Sequence, residues 1–98
     1  MKKVFDNLND LELFLKEEQD FLYKLIFYKI EETFDNLDDE IKIFECYSKD
    51  VFVKLDITVS KKTLLPCLEK LENHFVSTED YEKCQKILEY KKLVKLGF

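Results

Sequence analysis

Four side chains of this 98-residue sequence could ligate a metal ion or act as nucleophiles: Cys46, Cys67, His74 and Cys84. Cys67 and His74 are seven residues apart, a spacing that puts both on one face of a helix. Structural zinc sites, however, draw their ligands from close pairs such as Cys-x-x-Cys, and the sequence contains no such pair. The spacing favours the interpretation that the three cysteines are small core residues in a chain without alanine, so no metal site is assigned. A thiol- or zinc-binding protein stays open as an alternative.

The sequence also lacks the usual parts of a catalytic site. A Cys–His or Ser–His arrangement would have to use His74, the only histidine. The single glycine leaves no glycine-rich turn to build an oxyanion hole or a phosphate cradle. Carboxylates are numerous, but on an amphipathic helix they are typical of a solvated face. We therefore expect a non-enzymatic protein that uses no cofactor.

Composition limits the class of protein and its partners. Hydrophobic residues make up 46% of the chain, and one Gly and one Pro interrupt it, so we expect one domain over residues 1–98. The net charge of −5 is uneven, with −7 in residues 1–40 and +2 in residues 41–98. All 16 basic residues are lysines, which cannot make bidentate contacts to phosphate, so direct nucleic-acid binding is not expected. Neither a signal peptide nor a membrane-spanning stretch is evident, and we expect a cytoplasmic protein.

Hydrophobic periodicity predicts an α+β fold with the element order α-β-β-α-α. A long N-terminal helix is expected over residues 7–36, capped by Asn9, because apolar residues recur there every three or four positions. A two-stranded antiparallel β-hairpin is expected from residues 40–47 and 51–60, the second of which alternates cleanly. An antiparallel helical hairpin follows, starting at Thr63 and ending before Gly97, with Ser77 or Thr78 capping its second helix.

The long helix carries more apolar side chains than one buried face needs. A stripe of leucine and isoleucine residues is widened by aromatic residues, including Phe34. Since a chain this short buries only a modest core, we expect part of this second face to contact a partner. The aromatic residues assigned to partner binding are Phe14, Phe21, Phe27 and Tyr28.

An acidic cluster follows the aromatic face, with six acids in the ten residues 31–40. Its carboxylates either keep a helix end and loop in solution or form an anionic surface that mimics nucleic acid or attracts a basic partner. The acidic residues assigned to partner binding are Glu31, Glu32, Asp35, Asp38, Asp39 and Glu40. The exposed edge of the β-hairpin is a third candidate surface.

The predicted helical hairpin shows the one family resemblance in the chain. Residues 68–96, "LEKLENHFVSTEDYEKCQKILEYKKLVKL", resemble the UVR motif of excision-repair subunits. That motif opens its second helix with an acid, an aromatic residue, Glu, a basic residue and a small residue. The matching residues here are Asp80, Tyr81, Glu82, Lys83 and Cys84. The resemblance implies a docking role, because the family's hairpin pairs with a similar hairpin of another protein.

These observations together predict a small acidic module that binds another protein. Enrichment in Lys, Asn, Ile, Phe and Tyr over Ala, Arg, Gly and Pro suggests an AT-rich gene. That composition suits a phage or mobile-element protein that inhibits a host or defence protein. The alternative from a different class is a structural homodimer, in which hairpin edges or Phe-rich faces of two copies pair.

Overall fold

Three strands and four helices form the part of the chain that the structure, a computed structural model, describes: residues 2–34, 40–52 and 54–97. The elements are β1 (Lys2–Phe5), α1 (Leu8–Glu17), α2 (Gln19–Thr33), β2 (Ile41–Ser48), β3 (Lys54–Val59), α3 (Leu64–Ser77) and α4 (Tyr81–Lys95). The predicted α+β class is confirmed, and so is the helical hairpin at the end of the chain. The predictions of one long N-terminal helix and of a sheet with only two strands were wrong.

The additional strand makes the sheet mixed. Its order is β1-β2-β3, with β1 parallel to β2 and β3 antiparallel to β2. Parallel neighbours require a long crossover connection, and α1 and α2 provide it. The crossover lays both helices against the sheet. The strand escaped prediction because β1 is only four residues long and half of it is lysine.

The predicted long helix is divided at Glu18, whose backbone angles of φ −102° and ψ 32° belong to neither helix. Residues 16–20 are all polar, so no buried side chain holds one continuous helix axis there. The N-cap is Asn7 and not Asn9, because the Asn7 Oδ1 accepts a hydrogen bond from the Asp10 N–H at 2.8 Å.

The irregular alternation in β2 has a structural cause. The pairing register with β3 shifts between Lys42 and Phe44, and this β-bulge buries both Ile43 and Phe44. β3 begins at Lys54, later than predicted. Phe52 before it has a φ of +54° and ends the turn that joins the strands. Val51, which was predicted to begin this strand, is therefore half-exposed in the turn.

The core lies between the sheet, the α1–α2 crossover and the helical hairpin. α1 and α2 contact β2, α3 packs on α2, and α4 packs on α3. Cys46 and Cys84 are buried in this core and Cys67 packs against it, and burial raises the pKa of all three thiols. Among residues 2–34, 40–52 and 54–97, no His, Cys, Asp or Glu side chains form a group of three that could hold a metal ion.

The start of α3 and the end of α4 have the expected local features, but the prediction that Ser77 or Thr78 caps α4 was wrong. Ser77 is the last residue of α3, Thr78 is its C-cap, and the N-cap of α4 is Asp80. Pro66 lies in the first turn of α3, and Gly97 follows α4 with a φ of +87°. Glu79, with a φ of +60°, forms the tight turn between the helices. Within the described ranges, no helix combines the length and the apolar character needed to cross a bilayer.

One buried polar group ties the start of α1 to the sheet. Ser48 is fully buried, and its hydroxyl donates a hydrogen bond to Asp50 Oδ1. The Leu8 N–H donates to Asp50 Oδ2 at 3.3 Å, so the turn after β2 contacts the first residue of α1. The Ser48 hydrogen bond lowers the pKa of the Asp50 carboxyl, with a smaller contribution from Leu8.

This connection predicts a specific pH dependence. Because the pKa of Asp50 is lower in the folded than in the unfolded chain, ionised Asp50 stabilises the fold above its ordinary pKa of 3.8. That contribution is lost as the pH falls through the folded-state pKa. We expect Ser48→Ala to lower the free energy of unfolding at neutral pH and to lose less stability on acidification than the wild type. Urea unfolding at about pH 7 and about pH 3 measures the free energy of unfolding and its change with pH. Asp50→Asn should abolish the part of the pH dependence that Asp50 contributes. Equal pH dependence in Ser48→Ala and wild type would contradict this assignment.

Candidate partner-binding site

A groove of about 340 Å³ opens between β1 and the junction of α1 with α2. We call it the Phe14 groove. Its volume lies at the lower end of the roughly 300–1,000 Å³ typical of ligand pockets, enough for one bulky side chain. The lining residues are Lys2, Lys3, Phe14, Glu18, Phe21 and Phe44.

The sheet and the crossover each supply one wall of the Phe14 groove. Lys3 pairs in register with the buried Cys46, so the pleat directs it to the inner face of the sheet. Phe44 comes from the bulged start of β2. Phe14 lies in the second half of α1 and Phe21 in the first turn of α2. The groove therefore depends on the two features that the sequence did not predict, β1 and the helix break.

The aromatic side chains of the groove pack on one another. Phe14 stacks on Phe44, with ring centroids 5.9 Å apart and an interplanar angle of 16°, and it contacts Phe5 at 5.2 Å. Phe14 and Phe21 meet edge to face at 6.4 Å. In an unbroken helix, residues seven apart are separated by about 10.5 Å along the axis. The break at Glu18 helps to bring these two rings together, and so helps to shape the groove.

Charge is distributed unevenly around the rings. The Lys3 Nζ lies 4.6 Å from the Phe14 ring centroid, within the range of a cation–π interaction. Within the described ranges, Lys2, Lys3 and Glu18 form no salt bridge. Lys2 precedes Lys3 in the strand, so the pleat directs its side chain to the opposite face. The strand side of the groove thus presents one ammonium group, that of Lys3, and the helix break presents one carboxylate, that of Glu18.

An exposed apolar strip continues from the groove along α2. Phe21 is 41% exposed and Tyr28 is 52% exposed. They are seven residues apart, hence on the same side of the helix, and the half-buried Leu25 lies between them in sequence. Lys83 of α4 lies beside the far end of this strip, with its Nζ 5.6 Å from the Tyr28 ring centroid. We call Phe21, Leu25 and Tyr28 the α2 strip.

The aromatic residues assigned to partner binding separate into two groups. Phe14 and Phe21 line the groove, and Tyr28 lies on the α2 strip. Phe27 is 1% exposed and packs edge to face on Phe75 of α3, with ring centroids 5.7 Å apart. The assignment of Phe27 is therefore corrected, because the helical hairpin covers it. Phe34, which we counted on the same face, is also buried and packs against Tyr90 of α4.

Of the six acidic residues assigned to partner binding, the three that the structure describes do not line the groove. Glu31 forms a salt bridge with Lys86 of α4 at 2.8 Å, and Glu32 lies 3.9 Å from Lys29. Glu40 is exposed at the start of β2. The other three acidic residues assigned to partner binding lie outside the described residues: Asp35, Asp38 and Asp39.

Four groove residues were missed in the sequence: Lys2, Lys3, Glu18 and Phe44. The alternation of Lys3 and Phe5 with Lys2 and Val4 is the only signal for β1, and it is too short to distinguish from a helix start or a loop. Phe44 was recognised as a strand residue, but nothing local shows which helix covers it.

Comparisons with known proteins do not identify the chain. No family model matches it, and searches of curated proteins and of solved structures found no similar protein.

Proposed function

We propose that this protein is a non-enzymatic module that holds a segment of another protein in the Phe14 groove and on the adjoining α2 strip. The observation that carries the proposal is the exposure of Phe21 and Tyr28 beside an aromatic cavity. Large aromatic side chains in such positions dominate protein–protein binding energies, because they bury much apolar area with few rotatable bonds.

The chemistry of the groove supports binding over catalysis. Among the described residues, its lining consists of phenyl rings, two lysines and one glutamate, without a His, Cys, Ser or Thr side chain. The lysine amines are the candidate nucleophiles, and within the described ranges neither forms a salt bridge with Glu18 or another carboxylate that could act as its base. The partner class suggested by composition, a host or defence protein inhibited by a phage or mobile-element protein, stays a prediction.

The test is a comparison of three proteins: wild type, Phe21→Ser and Phe52→Ser. Phe52 is 77% exposed on the turn before β3 and does not line the groove, so it is a matched control for losing an exposed phenyl group. A partner captured from cells of the encoding organism would be purified and its affinity for each protein measured. We expect Phe21→Ser to weaken binding about tenfold or more, as expected of an interface hot spot, and Phe52→Ser to leave it unchanged.

Both substitutions replace exposed side chains, so thermal unfolding should show that both variants still fold. Equal affinity of wild type and Phe21→Ser for the purified partner would refute the proposal. An equal loss in Phe21→Ser and Phe52→Ser would refute the assignment to the groove.

A second candidate function is self-association through α4. Its outward side exposes Tyr81 (64%) and Leu88 (47%), and Leu96 just after the helix is 83% exposed. The same surface of two copies could pack together and bury these apolar side chains. The resemblance of residues 68–96 to the UVR hairpin favours pairing at this surface.

Self-association makes a distinct prediction about mass in solution. If α4 pairs two copies, light scattering at increasing concentration should show a dimer, and Leu88→Asp should shift it toward monomer because a carboxylate would be buried. Phe21→Ser should leave the dimer unchanged, since Phe21 lies on the α2 strip. A monomer at all concentrations, or a dimer that Leu88→Asp does not weaken, would rule out this candidate.

A further inference from the structure

The groove offers more than an apolar surface, because its two walls differ in charge. Lys2 and Lys3 both belong to β1 and make no salt bridge among the described residues, in a chain of net charge −5. Glu18 lies on the opposite side, at the helix break. A bound group can therefore place a negative charge toward the Lys3 ammonium group at β1 and a positive charge toward Glu18 at the helix break.

The phenyl rings of the Phe14 groove lie next to the Lys3 ammonium group. Phe14 presents one face to Phe44 and is half-buried, while Phe21 stands edge-on and 41% exposed. An added aromatic ring would extend this series of stacked and edge-to-face contacts. Lys3 already lies over Phe14, so a carboxylate bound to its Nζ would be held within a few ångströms of that ring.

From this geometry, and building on the proposed function, we infer that the groove recognises an aromatic residue followed by an acidic residue in a partner protein. The aromatic ring would pack against Phe14 and Phe21, and the carboxylate would bind the ammonium group of Lys3. The protein's own surplus of negative charge would disfavour acidic partners elsewhere on its surface. The groove is therefore where charge complementarity can select such a segment.

The size of the site fits one anchoring side chain of a longer chain. A cavity of about 340 Å³ accepts a phenyl ring, and the α2 strip beyond it gives the rest of the segment apolar contacts at Leu25 and Tyr28. A free aromatic acid would use the cavity alone and gain nothing from the strip. We therefore assign the site to a protein segment and not to a small metabolite.

The experiment uses hexapeptides capped at both ends and changes in the amide NMR spectrum of the full chain. The first peptide, Leu-Ser-Phe-Glu-Ser-Leu, carries both groups and flanking leucines that can contact the α2 strip; replacing its Glu by Gln removes the charge, and replacing its Phe by Ala removes the ring. We expect the first to shift the amides of Lys3, Phe14 and Phe21. The Gln peptide should bind about three- to fivefold more weakly, the range of a solvent-exposed ion pair, and the Ala peptide should not bind detectably.

Variants of the protein test the same assignment by changing charges of the groove instead of the charge of the peptide. Lys3→Met keeps the length of the side chain and should erase the difference between the Glu and Gln peptides, whereas Lys3→Arg should retain it. Glu18→Gln should strengthen binding of the Glu peptide, because it removes a like charge. Lys62→Met is the matched control, since Lys62 is exposed and lies outside the groove.

The outcomes separate this inference from the proposed function. Equal binding of the Glu and Gln peptides, or no shift in the groove with any peptide, overturns the inference. If Phe21→Ser nevertheless weakens binding of the purified partner, the proposed function stands and only the assigned recognition is wrong. If N-acetylphenylalanine binds as tightly as the first peptide, the α2 strip contributes nothing and the assignment to a protein segment is overturned.

Discussion

The packing of Phe14 against the sheet is the interaction on which the surface of this protein depends. Phe14 contacts Phe5 of β1, Phe44 of β2 and Phe21 of α2, so one ring joins both walls of the groove. The break at Glu18 helps to form these contacts, because in a straight helix Phe14 and Phe21 would be separated by about 10.5 Å along the axis. The same crossover that connects β1 with β2 also creates the groove, so the backbone that completes the sheet also positions the site.

The sequence pattern predicted the helical region but not its division into α1 and α2. Periodicity of leucine and isoleucine identified the helical region correctly, because these residues face the core in both α1 and α2. It could not predict that Phe27 is buried and Tyr28 is exposed. Adjacent residues of a wide apolar face differ only in which neighbouring element covers them. Phe27 is covered by α3, a contact between residues almost fifty positions apart. Such long-range packing has no local signature in the chain.

The missing strand illustrates the same limit for the site. Lys3 of β1 provides the positive charge of the groove, yet four residues rich in lysine predict no strand on their own. β1 is stabilised by pairing with β2 and by the packing of Phe5 on Phe14, and the pairing joins segments that are distant in the sequence. The cysteines were easier to assign. Spacing alone excluded a close metal-binding pair, and burial of Cys46 and Cys84 agrees with a packing role.

The central claim is that the crossover buries some of its aromatic residues and leaves others for a partner. The most direct measurement is fluorine NMR of the protein labelled with para-fluorophenylalanine at its nine Phe positions, in the presence of a soluble paramagnetic probe. The account predicts strong broadening of the Phe21 signal, intermediate broadening for Phe14, and protection of Phe27 and Phe34. Protection of Phe21 equal to that of Phe27 in a monomeric sample would contradict it, because the groove would then lack the exposed phenyl ring that the proposed binding requires.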